Sequence, residues 1–273
     1  MAKNGSDPEL NKRYIIENIN LAWVYSDQGD HTKALEYFQK ALDECLNLLG
    51  KEHLDTASTY NNLAWFYQAQ DDYPKALEYL QKALDIREKL LGMEHPSTAT
   101  TYNKLAGICQ IQGEYTKAMK YYQKARHIRE MVLGEEHPDT ASTYNNIAFM
   151  YQKQGDHQKA LELYKKALDI KERVLGNKHP STAATYNNIA YFYQTQDDNQ
   201  KALEFYQKAM ESFEEVLGKE HPDTAFAYNN IAGVYVALGD YAKAQEYYQK
   251  ALNIREKILG NEHLITALTY NSL

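Results

Sequence analysis

Residues that break helices are scarce in this sequence. It has six prolines and thirteen glycines in 273 residues, and four of the prolines fall in a single dipeptide, the His-Pro of 95–96, 137–138, 179–180 and 221–222. A chain so poor in breakers, and rich in Ala, Leu, Lys, Glu, Gln and Tyr, reads as nearly all helix. Cysteine is scarcer still. Cys45 and Cys109 stand too far apart and too few for a disulfide framework, and read as small buried apolar residues in a reducing, cytoplasmic compartment. No apolar run reaches membrane-spanning length and no signal-peptide pattern is present. Clusters of basic residues are missing as well: the net charge is −7, which speaks against a partner with a phosphate backbone. Residues 1–10 are short and polar, and are expected to be a disordered leader.

What the sequence has in abundance is repetition. The stretch His137-Pro138-Asp139-Thr140-Ala141, followed by Tyr144-Asn145-Asn146-Ile147-Ala148, returns every 42 residues. His95-Pro96-Ser97-Thr98-Ala99 leads into Tyr102-Asn103, and His179-Pro180-Ser181-Thr182-Ala183 into Tyr186-Asn187-Asn188. His221-Pro222-Asp223-Thr224-Ala225 leads into Tyr228-Asn229-Asn230. A fixed period of this size marks a repeat array, in which each unit stacks on its neighbours.

Each repeat holds two helical patterns. In the fourth, Ala141, Tyr144, Ile147, Ala148 and Tyr151 share one face. Gln154-Gly155-Asp156 interrupts: Gly155 suits a left-handed cap and Asp156 the next N-terminus. Ala160, Leu161, Tyr164, Ala167, Leu168, Val174 and Leu175 form a second stripe, which Gly176 stops. The breaks recur at Gly29, Asp71, Gly113, Asp197 and Gly239, and the stops at Gly50, Gly92, Gly134, Gly218 and Gly260. This predicts a single array over 11–273, with repeats at about 11–52, 53–94, 95–136, 137–178, 179–220 and 221–262 and a half repeat at 263–273. The short connections make neighbouring helices antiparallel.

The signature Tyr144-x2-Ile147-Ala148-x2-Tyr151, then Ala160-x3-Tyr164, then Ala167 resembles the tetratricopeptide repeat (TPR). So does Tyr60-x2-Leu63-Ala64-x2-Tyr67, then Ala76-x3-Leu80, then Ala83. The usual TPR period is about 34 residues, and the closing proline is missing here. The second helix instead runs on through segments such as Leu84-Asp85-Ile86-Arg87-Glu88-Lys89-Leu90-Leu91-Gly92. In this longer form the chain resembles the kinesin light chain repeats and the bacterial and fungal proteins built from the same unit. It lacks the heptad segment that precedes the repeats in kinesin light chain. The resemblance implies an all-α, right-handed α-solenoid (TPR superhelix) of antiparallel helix pairs, with the first helices lining a concave side and the second helices a convex one.

Chemistry-bearing patterns are few. His53, His95, His137, His179, His221 and His263 form a ladder. Zinc–nitrogen bonds are about 2.0–2.1 Å, whereas stacked helices lie about 8–10 Å apart, so two ladder histidines cannot share an ion. They read as helix-start residues. No nucleophile–base pair, phosphate loop or cofactor motif is present, which points to a chain that is not an enzyme and carries no cofactor or metal. The alternating Lys and Glu of the second helices read as a solvated face.

If the first helices line a groove, as the resemblance implies, its wall includes the asparagines that follow the repeated tyrosine: Asn61, Asn103, Asn145, Asn187 and Asn229. These can bond the backbone of an extended peptide, or they can cap and bridge neighbouring helices. Four positions on, the wall reads Trp23, Trp65, Gly107, Phe149, Tyr191, Gly233. Rings beside glycine-made gaps can form side-chain pockets, or the rings can pack on the adjacent helix. Lys104 and Lys153 are the main charges, which suits a peptide or protein partner with apolar and acidic residues. A carboxylate clamp is not expected, because its Lys and Arg positions are Asn, Ser, Thr or aromatic here. The expected function is a non-catalytic protein–protein interaction scaffold; the alternative is self-association through the ends of the array. At one end, Asn18-Ile19-Asn20 replaces Tyr60-Asn61-Asn62, as expected of a water-facing cap. At the other, no polar capping helix follows Ala267, Tyr270 and Leu273, as expected of a piece of a longer array.

Overall fold

The protein is described by a computed structural model covering residues 8–260 and 263–272, with side chains from residue 12 onward. The segment expected as a leader lies outside these residues up to position 7, as does Leu273; α1 begins at Pro8. Thirteen helices and no strand occur among the described residues. They group into two compact units, divided between Val132 and Leu133.

The first unit carries α1 (Pro8–Asp27), α2 (His31–Leu48), α3 (Leu54–Ala69), α4 (Tyr73–Leu91), α5 (Pro96–Ile111) and α6 (Tyr115–Leu133), whose last residue belongs to the second unit. The second carries α7 (Pro138–Lys153), α8 (His157–Leu175), α9 (Pro180–Gln194), α10 (Asn199–Val216), α11 (Pro222–Ala237), α12 (Tyr241–Leu259) and α13 (Leu264–Tyr270). Consecutive helices pack as antiparallel pairs, and each pair packs on the next within its unit.

The helix boundaries follow from capping chemistry. Asp30, Asp72, Asp156, Asp198 and Asp240 each accept a hydrogen bond from the backbone N–H three residues on, at 3.1–3.2 Å, which satisfies one of the free donors of the helix start. The turn before each cap needs a left-handed residue. Glycine supplies it at Gly29, Gly113, Gly155 and Gly239, but aspartate does so at Asp71 (φ 57°) and Asp197 (φ 59°), where its short polar side chain tolerates the strain.

The core of each unit runs through its stack of helices. In the first unit Phe38, Leu42, Leu63, Phe66, Leu80, Tyr102, Leu105 and Ile108 belong to one continuous buried cluster. In the second, smaller clusters form around successive pairs; one joins Ala148 of α7, Ala160 and Tyr164 of α8, and Ile189 and Phe192 of α9. The alanines are fully buried, and their small size lets the helix axes approach to about 8–10 Å. Ala148→Leu is therefore expected to overpack this contact at a cost of about 1–3 kcal/mol. Thermal unfolding followed by circular dichroism should show a lower midpoint, and an unchanged midpoint would contradict the packing.

Candidate functional site

The histidine ladder resolves into caps. In His53, His95, His137, His179, His221 and His263 the ring Nδ1 accepts from the backbone N–H two residues on, at 3.1–3.2 Å. Each histidine thus starts a first helix, taking the place usually held by Ser, Asp or Asn. Among the described residues no group of His, Cys, Asp or Glu is arranged to hold a metal ion.

The caps set the register of the first helices, and with it the face that carries the remaining candidates. In the first unit the ring of Trp23 stands edge-on to Phe38 at 4.8 Å and to Trp65 at 4.7 Å. Trp23 is half-buried and Trp65 is 51% exposed. Next in line, Gly107 leaves open space: a β-carbon there would meet only the Tyr122 hydroxyl, at 3.8 Å. Asn61, Asn103 and Lys104 are half-buried. Burial lowers the pKa of Lys104, and the nearby charge of Arg87 lowers it further.

In the second unit the structure brings three candidates together. The Lys153 ammonium lies 5.0 Å from the ring centre of Phe149 and 5.4 Å from that of Tyr191, and donates to the Tyr191 hydroxyl at 3.3 Å. The two rings stack with centres 6.3 Å apart. This is a cation–π arrangement in which Lys153 and Tyr191 face solvent. Gly233 again leaves a gap, with Gln194 and Tyr248 polar atoms 4.0 Å from where a β-carbon would stand.

The asparagines divide. The Asn187 carbonyl accepts from Asn230 Nδ2 at 2.9 Å, a bridge between first helices α9 and α11, and the Asn229 carbonyl accepts from Arg255 at 3.1 Å. The side-chain carbonyls of Asn61 and Asn145 are buried and have no hydrogen-bond partner. A buried acceptor left unpaired costs about 1–3 kcal/mol, so these two positions gain from a donor brought to them.

Models of the tetratricopeptide repeat match residues 14–89, 97–173, 139–215, 181–257 and 223–273, and a second such model matches 61–130. The chain belongs to the tetratricopeptide repeat family. Solved structures similar to it include BtubC (BKLC) from P. vanneervenii, at 23% identity over 92% of this chain and 91% of that one with a TM-score of 0.62. Another is the Podosopora anserina putative kinesin light chain with nearly identical TPR-like repeats, at 29% identity over 76% and 98% with a TM-score of 0.57. A substituted form of that fungal protein matches at 27% identity over 74% and 95%, with a TM-score of 0.58. No curated protein matches the sequence. The TPR solenoid fold and the kinesin-light-chain-like repeat class expected from the signature are therefore those of this chain.

One element of this TPR array is hidden in the sequence. The charges of the second helices are not all solvated, as their pattern suggests: Arg87, Arg129 and Lys171 are buried. Arg87 donates to the Ser97 carbonyl at 3.2 Å and to the Thr101 hydroxyl at 2.6 Å. Lys171 donates to the Ser181 carbonyl and the Thr185 hydroxyl at 3.1 and 3.0 Å, and Arg255 to the Thr269 hydroxyl. Each threonine in turn donates to the carbonyl four residues back, which leaves its lone pairs for the cation. The clip ties a second helix to the first helix of the next repeat, always fourteen residues on. Cys45 and Thr59 form a weaker version at 3.3 Å. In one junction both partners are apolar, Phe213 and Ala227, within one buried cluster. Beside the clip, Tyr102, Tyr186 and Tyr228 donate to Glu88, Glu172 and Glu214.

The clip cations bond neutral oxygens only, so their desolvation is incompletely offset. Lys171 shows the consequence: burial depresses its pKa from 10.5 to about 8, and the Asp139 carboxylate opposes the shift only in part. Because the folded-state value lies below that of the unfolded chain, folding disfavours the charged form. The penalty is fully present below about pH 8 and fades as pH rises towards 10.5. Lys171→Met combined with Thr185→Ala, which copies the apolar pair Phe213 and Ala227, is expected to stabilise the protein by about 1–3 kcal/mol at pH 7. Urea unfolding of both proteins at pH 7 and pH 10 should show that gap narrowing at the higher pH. A variant less stable than the parent at both would contradict the account.

Proposed function

We propose that the chain is a non-catalytic scaffold that holds a peptide or partner protein against the face formed by its first helices. TPR proteins in general mediate protein–protein interactions. The observation that carries the reading for this chain is the cluster of Phe149, Lys153 and Tyr191, which leaves a cation and an aromatic edge open to solvent with an unpaired Asn145 carbonyl nearby along the same helix. Trp65 and the unpaired Asn61 carbonyl repeat the combination on α3. Rings supply large contact area for a partner. Lys104 and Lys153 favour acidic residues in the partner. The two units are read as one array, and the buried free thiols of Cys45 and Cys109 suit a reducing, cytoplasmic setting. No helix among the described residues is long and apolar enough to cross a membrane.

A second reading, association between copies of the chain, is favoured by the outer face of α1. The expected water-facing cap is apolar there: Leu21 is 41% and Val24 49% exposed.

The groove reading is tested with a library of extended peptides. Saturable binding is expected, weakened about tenfold or more by Trp65→Ala or Phe149→Ala, since aromatic anchors contribute about 2 kcal/mol or more. Lys104→Glu with Lys153→Glu should weaken acidic peptides selectively. Affinities unchanged by all four substitutions would sink the reading.

A further inference from the structure

At one position between paired helices, α10 departs from the pattern of α4, α6, α8 and α12. Ile86, Ile128, Ile170 and Ile254 are 1–8% exposed. Ile170 shares a buried cluster with Ala141 and Tyr144, and Ile254 with Ala225 and Tyr228. Counting by the 42-residue period, α10 carries Ser212 there, which is buried as well. Serine is far smaller than isoleucine, and it lies in the lining of a cleft of about 350 Å³. The cleft is inside the second unit. Glu172 of α8, Asn177 and Lys178 of the following connection, Tyr186 of α9 and Glu211 of α10 bound it, and none of the first-helix candidates does.

The open polar groups of the cleft are acceptors. The Ser212 hydroxyl is 2.8 Å from the Lys208 carbonyl and 3.1 Å from the Asn177 carbonyl. It has one proton, so it cannot serve both. Glu172 accepts from the Tyr186 hydroxyl through one oxygen, which leaves the other. Glu211 has no hydrogen bond or ion pair among the described residues. The two cations of the lining are already engaged, Lys178 with Glu215 at 2.5 Å and Lys208 with Glu204 at 2.9 Å. The first of these pairs is reversed relative to other repeats, where an acidic residue before the first helix meets a basic one near the end of the second: Glu52 with Lys89, Glu136 with Arg173 and Glu220 with Lys257. The reversal puts the Glu215 carboxylate one turn from Glu211 on α10. Three carboxylates and two ammonium groups line the cleft, and carboxylates hold both ammonium groups.

We propose that this cleft is a second binding site and takes an arginine side chain of a partner protein. The guanidinium enters over Ser212, donates to Glu211 and to the open oxygen of Glu172, and reaches the carbonyl that the Ser212 proton leaves unserved. Arginine fits this set better than lysine. Its planar fork holds five N–H donors and serves acceptors on two helices at once, whereas an ammonium is a compact point charge. The net charge of −7 favours the approach of a cationic partner. The site is separate from the first-helix face, and either can fail without the other.

The test is an NMR titration of the isotope-labelled whole chain with the tripeptide Gly-Arg-Gly, its ends blocked. Saturable shifts are expected at the backbone amides of Asn177, Glu211 and Ser212. The citrulline analogue keeps the shape of arginine without its charge, and should bind about tenfold more weakly or worse. Ser212→Ile restores the residue of α8 and α12 and fills the cleft, so it should abolish the shifts while helical content is unchanged. Glu211→Gln alters an exposed side chain and should weaken binding about tenfold. Shifts that are absent, that spread over the acidic surface, or that survive both Ser212→Ile and Glu211→Gln overturn the proposal. Equal binding of the citrulline peptide, or tighter binding of blocked Gly-Glu-Gly, overturns it as well.

Discussion

Within each unit, a first helix that follows a second helix depends on how that second helix ends. That helix runs about two turns longer than in shorter TPR units, and its added length reaches the start of the next repeat. Where α4 meets α5, the Gly92 carbonyl accepts the Thr98 hydroxyl, His95 caps the incoming helix, and Arg87 reaches Thr101 fourteen residues beyond it. These bonds fix where the first helix begins and how it is rotated. The apolar contacts that follow, such as Leu63 and Phe66 on Phe38 and Leu42, supply most of the stabilisation by burial but do not by themselves choose between neighbouring registers. In an array of closely similar repeats that choice matters, because a slipped pairing would bury almost the same area.

The rotation set at the junction decides what the first helices show to solvent. With Leu63, Phe66 and their equivalents turned inward, the Trp65 position is turned outward, and Lys153 reaches across from Phe149 to Tyr191 on the next first helix. The same geometry places the asparagines at the border between core and surface. Asn229 faces inward to Arg255 and Asn187 sideways to Asn230, while the Asn61 and Asn145 carbonyls are left unpaired. At Asn229 the clip residue Arg255 bonds both Thr269 and the asparagine, whereas Lys171 bonds Ser181 and Thr185 and Arg87 bonds Ser97 and Thr101.

Much of this was legible in the sequence. The period, the helix pairs, the Asp and Gly caps and the helix-start role of the histidines follow from spacing and local chemistry, which act over a few residues. The aromatic positions were legible as a row, because a helix face is a matter of register. The buried cations were not. Arg87 and Lys171 sit in runs of alternating charge that match a solvated face, and only the approach of the next repeat removes them from water. The one sequence signal was their coupling to Thr101 and Thr185, exposed by the junction where Phe213 and Ala227 replace both partners together. The split among the asparagines was equally hidden, since it depends on the reach of a side chain from another helix. At α1 the loss of the repeated tyrosine at Asn18 gave no sign of what the water-facing side carries, which is Leu21 and Val24.

If nearest-neighbour junctions carry the fold, a whole repeat can be removed in frame. Deleting residues 137–178 joins Glu136 to His179 and brings Thr185 into the sequence register of Thr143, fourteen residues after Arg129. The account predicts a folded protein whose helical content per residue is unchanged and whose urea unfolding slope falls in proportion to the surface lost. A deletion variant that is unfolded or aggregated, while the same 42-residue segment duplicated in frame is equally disruptive, would contradict it.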